Sequence, residues 1–356
     1  MTGSLRSSMR NLTWICVFSM LAALVCAVGV WAQAPQAPQA QQGKQGKQPL
    51  SPEEAAKLEA QAAKLRQLVA ESPRLALEKI DVKPQPPSPG WEIGYPSSVT
   101  MDAKGDIYIL QRGDKADPVI VCDRQGKVLR SWGKGLYTIP HAIRISPDGN
   151  IWTTDSAASM VIEYTPEGKK IFEINVGGQP GGNTGRANGT TDVAFAPNGH
   201  IYVSDGYGNA RVLEYTADGK KVNEFGSHGN GPGQFAQPHG IAVAPDGTIY
   251  VADRRNGRLQ WFDPTGKFLG EYDDLGMVTT VAFVRGELWI GTQQRNVPTQ
   301  DTGWIMKIDR KTGKILGLVD SYHGQHVVNV TMRGDVIAGG YPLTPLWFRS
   351  SGAGSR

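Results

Sequence analysis

Histidine is where reactive chemistry concentrates in this chain. There are six histidines in 356 residues, and three share one spacing. His141, His239 and His326 each stand eight residues before a glycine: Gly149, Gly247 and Gly334. Three neutral imidazoles with an open fourth position are the ligand set of catalytic zinc sites. Imidazole suits zinc, iron or copper, whereas oxygen ligands suit calcium or magnesium. A single histidine of this kind reads as a hydrogen-bonded interior residue. Three in equal register read as a metal set. His200 and His228 lack the spacing and read as turn or loop residues, and His323 is a weak substitute for His326.

Counting forward from equivalent glycines is also informative. Arg112 and Arg254 stand seven residues after Gly105 and Gly247. Arginine binds carboxylates bidentately, which favours an anionic substrate. Tyr207 stands eight residues after Gly199, between Gly206 and Gly208. Beside a metal and two cations its phenol could have a lowered pKa and serve as a base. A packed loop tyrosine is an equally open reading. Asp155, Asp205 and Asp253 recur six residues after their glycines, a pattern that points to capping of the next turn.

These positions are fixed by a repeat. A glycine turn followed by a strand recurs at Gly105, Gly149, Gly199, Gly247, Gly286 and Gly334, at intervals of 44, 50, 48, 39 and 48 residues. A second turn glycine follows in five copies: Gly126, Gly168, Gly219, Gly266 and Gly313. Between them residues alternate as half-buried strands do, as in Val212-Leu213-Glu214-Tyr215. Six such copies with no helical segment between them imply an all-β fold, a six-bladed β-propeller over residues 91–349. A parallel solenoid would need shorter repeats. In a six-fold ring alternate blades lie about 120° apart, so the histidines of blades 2, 4 and 6 converge on the axis. Arg112 and Arg254, on blades 1 and 4, face one another across the same mouth.

The N-terminal quarter has other character. Arg6 and Arg10 precede a nearly apolar run from Leu12 to Trp31, which reads as a signal peptide over 1–32 with cleavage after Ala32. The run is long enough that an uncleaved membrane anchor is the alternative. Either way the propeller is expected outside the cytoplasm, secreted or periplasmic. Residues 33–50 are low complexity and read as a disordered linker. Ser51-Pro52-Glu53-Glu54 is a capping box that starts a helix over 51–72. Residues 73–90 read as a Pro-rich linker. The net charge is +4, with no dense Lys/Arg stripe, which argues against nucleic acid. Cys16 and Cys26 fall in the apolar run, leaving Cys122 as a buried, inert thiol.

Several stretches carry a family resemblance. Pro232-Gly233-Gln234-Phe235, Pro238-His239-Gly240-Ile241-Ala242-Val243 and Ile249-Tyr250-Val251-Ala252-Asp253 are typical of NHL repeats. More closely, the chain resembles the peptidyl-α-hydroxyglycine α-amidating lyases. Gln111-Arg112-Gly113-Asp114, Pro140-His141, Thr191-Asp192-Val193, Ser204-Asp205-Gly206-Tyr207 and Asp253-Arg254-Arg255-Asn256-Gly257-Arg258 carry that likeness, which spans roughly 95–348. The resemblance implies zinc on His141, His239 and His326, Tyr207 as base, and Arg112 and Arg254 as substrate or electrostatic residues. The implied reaction splits a C-terminal α-hydroxyglycine into a peptide amide and glyoxylate. In the family, the third histidine stands in Pro-His-Asp, whose aspartate helps bind structural calcium. Here the stretch is Gln325-His326-Val327, which puts Ca2+ in doubt. These residues include no companion monooxygenase domain, so a hydroxyglycine is expected from elsewhere, or the chemistry serves another small hydroxy acid or carbinol.

The expected partner is a small anionic substrate or a peptide C-terminus, bound by a monomer with a membrane tether where the signal stays uncleaved. The competing reading is a non-catalytic NHL propeller that binds a protein or cell-envelope partner through loops such as 178–189 and 292–303. A lactonase-type hydrolase ranks last, because such sites use carboxylate and amide ligands for calcium and no acidic set stands at the axis position.

Overall fold

The computed structural model describes residues 52–177, 189–294, 303–321, 325–340 and 344–350. The expected signal segment, the low-complexity linker, His323 and most of the two long loops lie outside the described residues. Six four-stranded antiparallel sheets form the blades of a propeller. The innermost strands, in order, are Tyr95–Met101, Pro140–Ile145, Thr190–Phe195, Pro238–Val243, Met277–Val284 and Gln325–Val330. They pack side by side round a ring, and the first meets the sixth. In the first five blades the other three strands follow in chain order from the axis outward.

The repeat glycines explain why the sequence turns where it does. Gly105, Gly149, Gly199, Gly247, Gly286 and Gly334 have φ of 95°, 90°, 82°, 84°, 81° and 84°. Side chains with a Cβ resist that left-handed conformation. The aromatic residues that follow, Tyr108, Trp152, Tyr202, Tyr250 and Trp289, are buried between blades. Each large ring removes apolar area on both flanking sheets, worth about 2–3 kcal/mol.

The sixth blade corrects the reading of residues 73–90 as a linker and of 91 as the propeller's start. Its outermost strand is Leu77–Asp81, paired antiparallel with Leu346–Ser350 from Leu77↔Ser350 to Asp81↔Leu346. Arg349 and Glu78 form an ion pair across this seam. The flanks are tied as well. Leu75 N–H donates to the Leu318 carbonyl at 2.9 Å, and Gln85 N–H to that of Gly126 at 2.7 Å. Residues 73–85 therefore run across blades 5, 6 and 1. Leu77 and Ile80 point to opposite faces of this strand, one toward the core between blades 5 and 6 and the other toward that between blades 6 and 1, so no alternation marks it among the nearby prolines.

A helix, Pro52–Glu71, precedes this seam. No described helix is long and apolar enough to cross a membrane. Ala62, Leu65 and Val69 are buried, with Leu65 and Val69 in one core with Leu275, Val278, Trp304 and Leu318 of blade 5. Lys64 forms an ion pair with Asp274 beside that contact. A Cβ on Gly276 would come within 2.6 Å of the Leu65 side chain, so the helix lies directly on this turn. Leu65→Ala is expected to cost about 2–4 kcal/mol of stability, read as a lower urea midpoint with an unchanged slope. An unchanged midpoint would mean that the helix is not bound to the propeller.

Candidate metal centre

The approaches to His141 and His239 are anchored before the histidine appears. Asp155 accepts the N–H groups of Thr138 and Ile139 at 2.5 and 3.1 Å, just ahead of His141. Asp253 does the same for Ala236 and Gln237 at 2.9 and 3.2 Å, just ahead of His239. Asp155 also accepts the N–H groups of Ala157 and Ala158, so it caps the next turn as well. Asp205 pairs with Arg211 at 2.9 Å. Asp155 and Asp253 thus hold the turns that lead into the inner strands of blades 2 and 4.

His141, His239 and His326 come together on the axis. Their ring centroids lie 4.8 Å apart for 141 and 239, 4.4 Å for 141 and 326, and 5.0 Å for 239 and 326. One nitrogen from each lies within 4.8 Å of the others. Each Nδ1 faces a backbone carbonyl of the next blade: Thr191 at 2.5 Å from His141, Thr279 at 2.6 Å from His239, and Ser97 at 2.8 Å from His326. A carbonyl only accepts, so each Nδ1 carries the proton and each Nε2 keeps its lone pair. That is the arrangement of metal-ligating histidine, whose other nitrogen is fixed by an outer hydrogen bond.

Electrostatics favour the same state. Burial is the main cause that holds all three imidazoles well below the usual histidine range. Neighbouring imidazoles and the Arg112 and Arg254 charges add to it. The rings are therefore neutral at pH 7, as metal binding needs. A pH prediction follows for metal-free protein. The folded-state pKa is depressed, so this stability is present above the unfolded value of about 6.5 and is lost as pH falls below it. The expected slope is up to about 1.4 kcal/mol per pH unit for each histidine. Urea midpoints of metal-free protein at successive pH values test this, and a flat profile below about pH 6.5 would contradict neutral burial.

Tyr207, Arg112 and Arg254 join this cluster. The Tyr207 hydroxyl lies 2.9 Å from His141 Nε2 and 3.3 Å from His239 Nε2. Arg112 Nε donates to the Pro140 carbonyl at 2.8 Å, next to His141. Its Nη2 and the Nε of Arg254 are buried without hydrogen-bond partners. Buried orphaned donors on two cations suit an anionic ligand, since leaving them unpaired is costly. A cavity of about 770 Å³ opens beside Arg112 and Tyr207, walled by Tyr137, Ile139 and Pro140.

The remaining candidates fall elsewhere. His200 bonds Glu214 at 2.7 Å, and His228 is exposed. Cys122 is buried, and burial pushes its thiol up to about 12. Val327 is buried, and its side chain offers no oxygen ligand to calcium. Among the described residues, the three histidines form the one group of His, Cys, Asp or Glu able to hold a metal ion.

Sequence reasoning missed Arg144, three residues past His141. Its guanidinium donates to both oxygens of Asp192, to the Val328 carbonyl at 3.0 Å and to Asn329. One side chain thus links blades 2, 3 and 6 across the channel. An arginine in a strand carries no sequence mark of such a role.

Comparison with known proteins agrees with this architecture. The NHL repeat family matches residues 235–262. The chain is 34% identical over 200 residues to the mouse peptidyl-glycine alpha-amidating monooxygenase, an alignment covering 48% of this chain and 20% of that protein. It is 27% identical over 283 residues to a Caenorhabditis elegans protein named as a probable peptidyl-alpha-hydroxyglycine alpha-amidating lyase, covering 69% of this chain and 80% of that one. The chain is thus similar to the amidating lyases and carries an NHL repeat. It spans about one fifth of the mouse relative's length. Among solved structures, virginiamycin B lyase from Staphylococcus aureus superposes with a TM-score of 0.53 over 77% of this chain and 98% of that one. Its identity is 14%, so the likeness is one of fold.

Proposed function

We propose that this chain is a metal-dependent lyase that splits an N-acyl-α-hydroxyglycine into an amide and glyoxylate. The observation that carries the reading is the convergence of three neutral imidazoles beside two arginines with orphaned donors. His141, His239 and His326 would hold the metal, and zinc suits this donor set. When bound, such an ion supplies Lewis acidity toward a substrate oxygen.

The chain's own residues do the rest. Arg112 and Arg254 bind and orient the substrate carboxylate. Tyr207 takes the proton of the carbinol hydroxyl. The C–N bond then breaks with its electron pair going to nitrogen, while the carbinol carbon becomes the aldehyde of glyoxylate. The proton passes back from Tyr207 to the amide nitrogen, so protons and electrons balance without a redox partner.

Purified protein is expected to contain about one zinc per chain and to release glyoxylate from an N-acyl-α-hydroxyglycine. Metal without glyoxylate would reject the substrate and keep the centre. We also place the protein outside the cytoplasm, on the strength of the Arg6, Arg10 and Leu12–Trp31 pattern. An N-terminus at Gln33 in extracytoplasmic protein supports export with cleavage, and protein confined to the cytoplasm rejects export.

A further inference from the structure

The inner strands share an irregularity that the metal reading leaves unused. Pairing with the second strand skips between Pro96 and Ser98, Pro140 and Ile143, Thr190 and Asp192, Pro238 and Gly240, Val278 and Thr280, and Gln325 and Val327. A bulge leaves a residue outside the ladder and re-aims it. The residues so released are Ser97, His141 with Ala142, Thr191, His239, Thr279 and His326. Round the axis, hydroxyl residues and histidines alternate.

We propose that Ser97, Thr191 and Thr279 form an outer ring of positioning residues that aims the three imidazoles; this rests on the reading that those imidazoles hold a metal. Each hydroxyl makes the same bond. Ser97 Oγ donates to the Leu110 carbonyl at 3.1 Å, Thr191 Oγ1 to that of Ser204 at 3.0 Å, and Thr279 Oγ1 to that of Gly291 at 3.1 Å. In all three blades the acceptor is the partner of the residue just after the bulge: Ser98↔Leu110, Asp192↔Ser204 and Thr280↔Gly291. This bond pins the bulge to its own sheet. The bulge's carbonyl is then left facing the preceding blade, where it accepts the histidine Nδ1–H.

The pairing runs from blade 2 to 3, from 4 to 5 and from 6 to 1. All three hydroxyl residues are fully buried, so no water competes for these bonds. The ring contacts the histidines rather than the ion or the substrate. Its effect is on orientation: a carbonyl free to rotate would let the imidazole turn its Nε2 away from the centre.

The test compares Ser97→Ala, Thr191→Val and Thr279→Val with Thr191→Ser and with Thr153→Val. Thr153 is a buried hydroxyl residue whose side chain bonds Tyr137 rather than a strand bulge. Zinc affinity is read by chelator competition, and 15N-histidine NMR of metal-free protein reads the Nδ1–H protons. Loss of a ring hydroxyl is expected to weaken zinc about tenfold, with Thr191→Ser and Thr153→Val near wild type. In the spectra, Thr191→Val should disturb His141, Thr279→Val His239, and Ser97→Ala His326. Unchanged affinity in all three variants, or an equal loss in Thr153→Val, overturns the proposal. Should a valine variant fail to fold, Ser97→Ala and the wild-type spectrum still decide it, because wild-type histidines lacking Nδ1–H protons would also overturn it. Wild-type protein that binds no zinc marks failure of the metal reading instead.

Discussion

His239→Ala is expected to abolish stoichiometric metal binding, from about one ion per chain to less than about a tenth after dialysis. Two imidazoles would remain where three converged. Loss of an outer hydrogen-bond partner alone weakens metal affinity about 10- to 100-fold, and loss of a ligand should exceed that. The variant also removes the thermodynamic link between metal and fold. Metal at about 1,000 times its Kd stabilises a native protein by about 4 kcal/mol, so wild type should gain several degrees in Tm with added zinc. His239→Ala should gain none. His239 is buried and its Nδ1 bonds the Thr279 carbonyl, so metal-free wild type is the reference for the packing cost. A variant that keeps wild-type metal content would show that the ion sits elsewhere.

Tyr207→Phe separates chemistry from binding. The phenol hydroxyl touches His141 and His239 without completing any strand pairing. Its removal leaves the imidazoles and both arginines in place. If Tyr207 carries the carbinol proton, kcat should fall by about 10²- to 10⁴-fold with metal content retained and KM little changed. A rise in KM with kcat intact would make Tyr207 a packing residue of the mouth, and glyoxylate release at the wild-type rate would remove it from the reaction.

The fold was legible because its unit repeats. A glycine with positive φ followed by an apolar pair marks the second strand of each blade, and six copies define the ring. The histidine register was legible for the same reason: equal distance from an equivalent glycine means an equal place on the inner strand. His326 was the least family-like of the three, yet its ring stands with the others on the axis. The strand Leu77–Asp81 was not legible, because it pairs with residues some 270 positions away and has no glycine repeat to announce it. The arrangement round the histidines was also hidden. Thr191 and Ser97 stand at the histidine position in their own copies, but serine and threonine are common in strands. Only the blade-to-blade bonds give them meaning. Arg144 is the same case, since its partners come from blades distant in sequence.

The seam of the sixth blade ties the centre to the completeness of the chain. Leu77–Asp81 enters early and waits for Leu346–Ser350, the last described strand. His326, the third candidate ligand, bonds the carbonyl of Ser97, 229 residues away, at the neighbouring contact between blades 6 and 1. A chain still being made, or one cut short before blade six, has two of its imidazoles and no closed ring. A metal held by all three imidazoles would therefore need the closed ring. An ion on His326 would also act as a rivet on this junction.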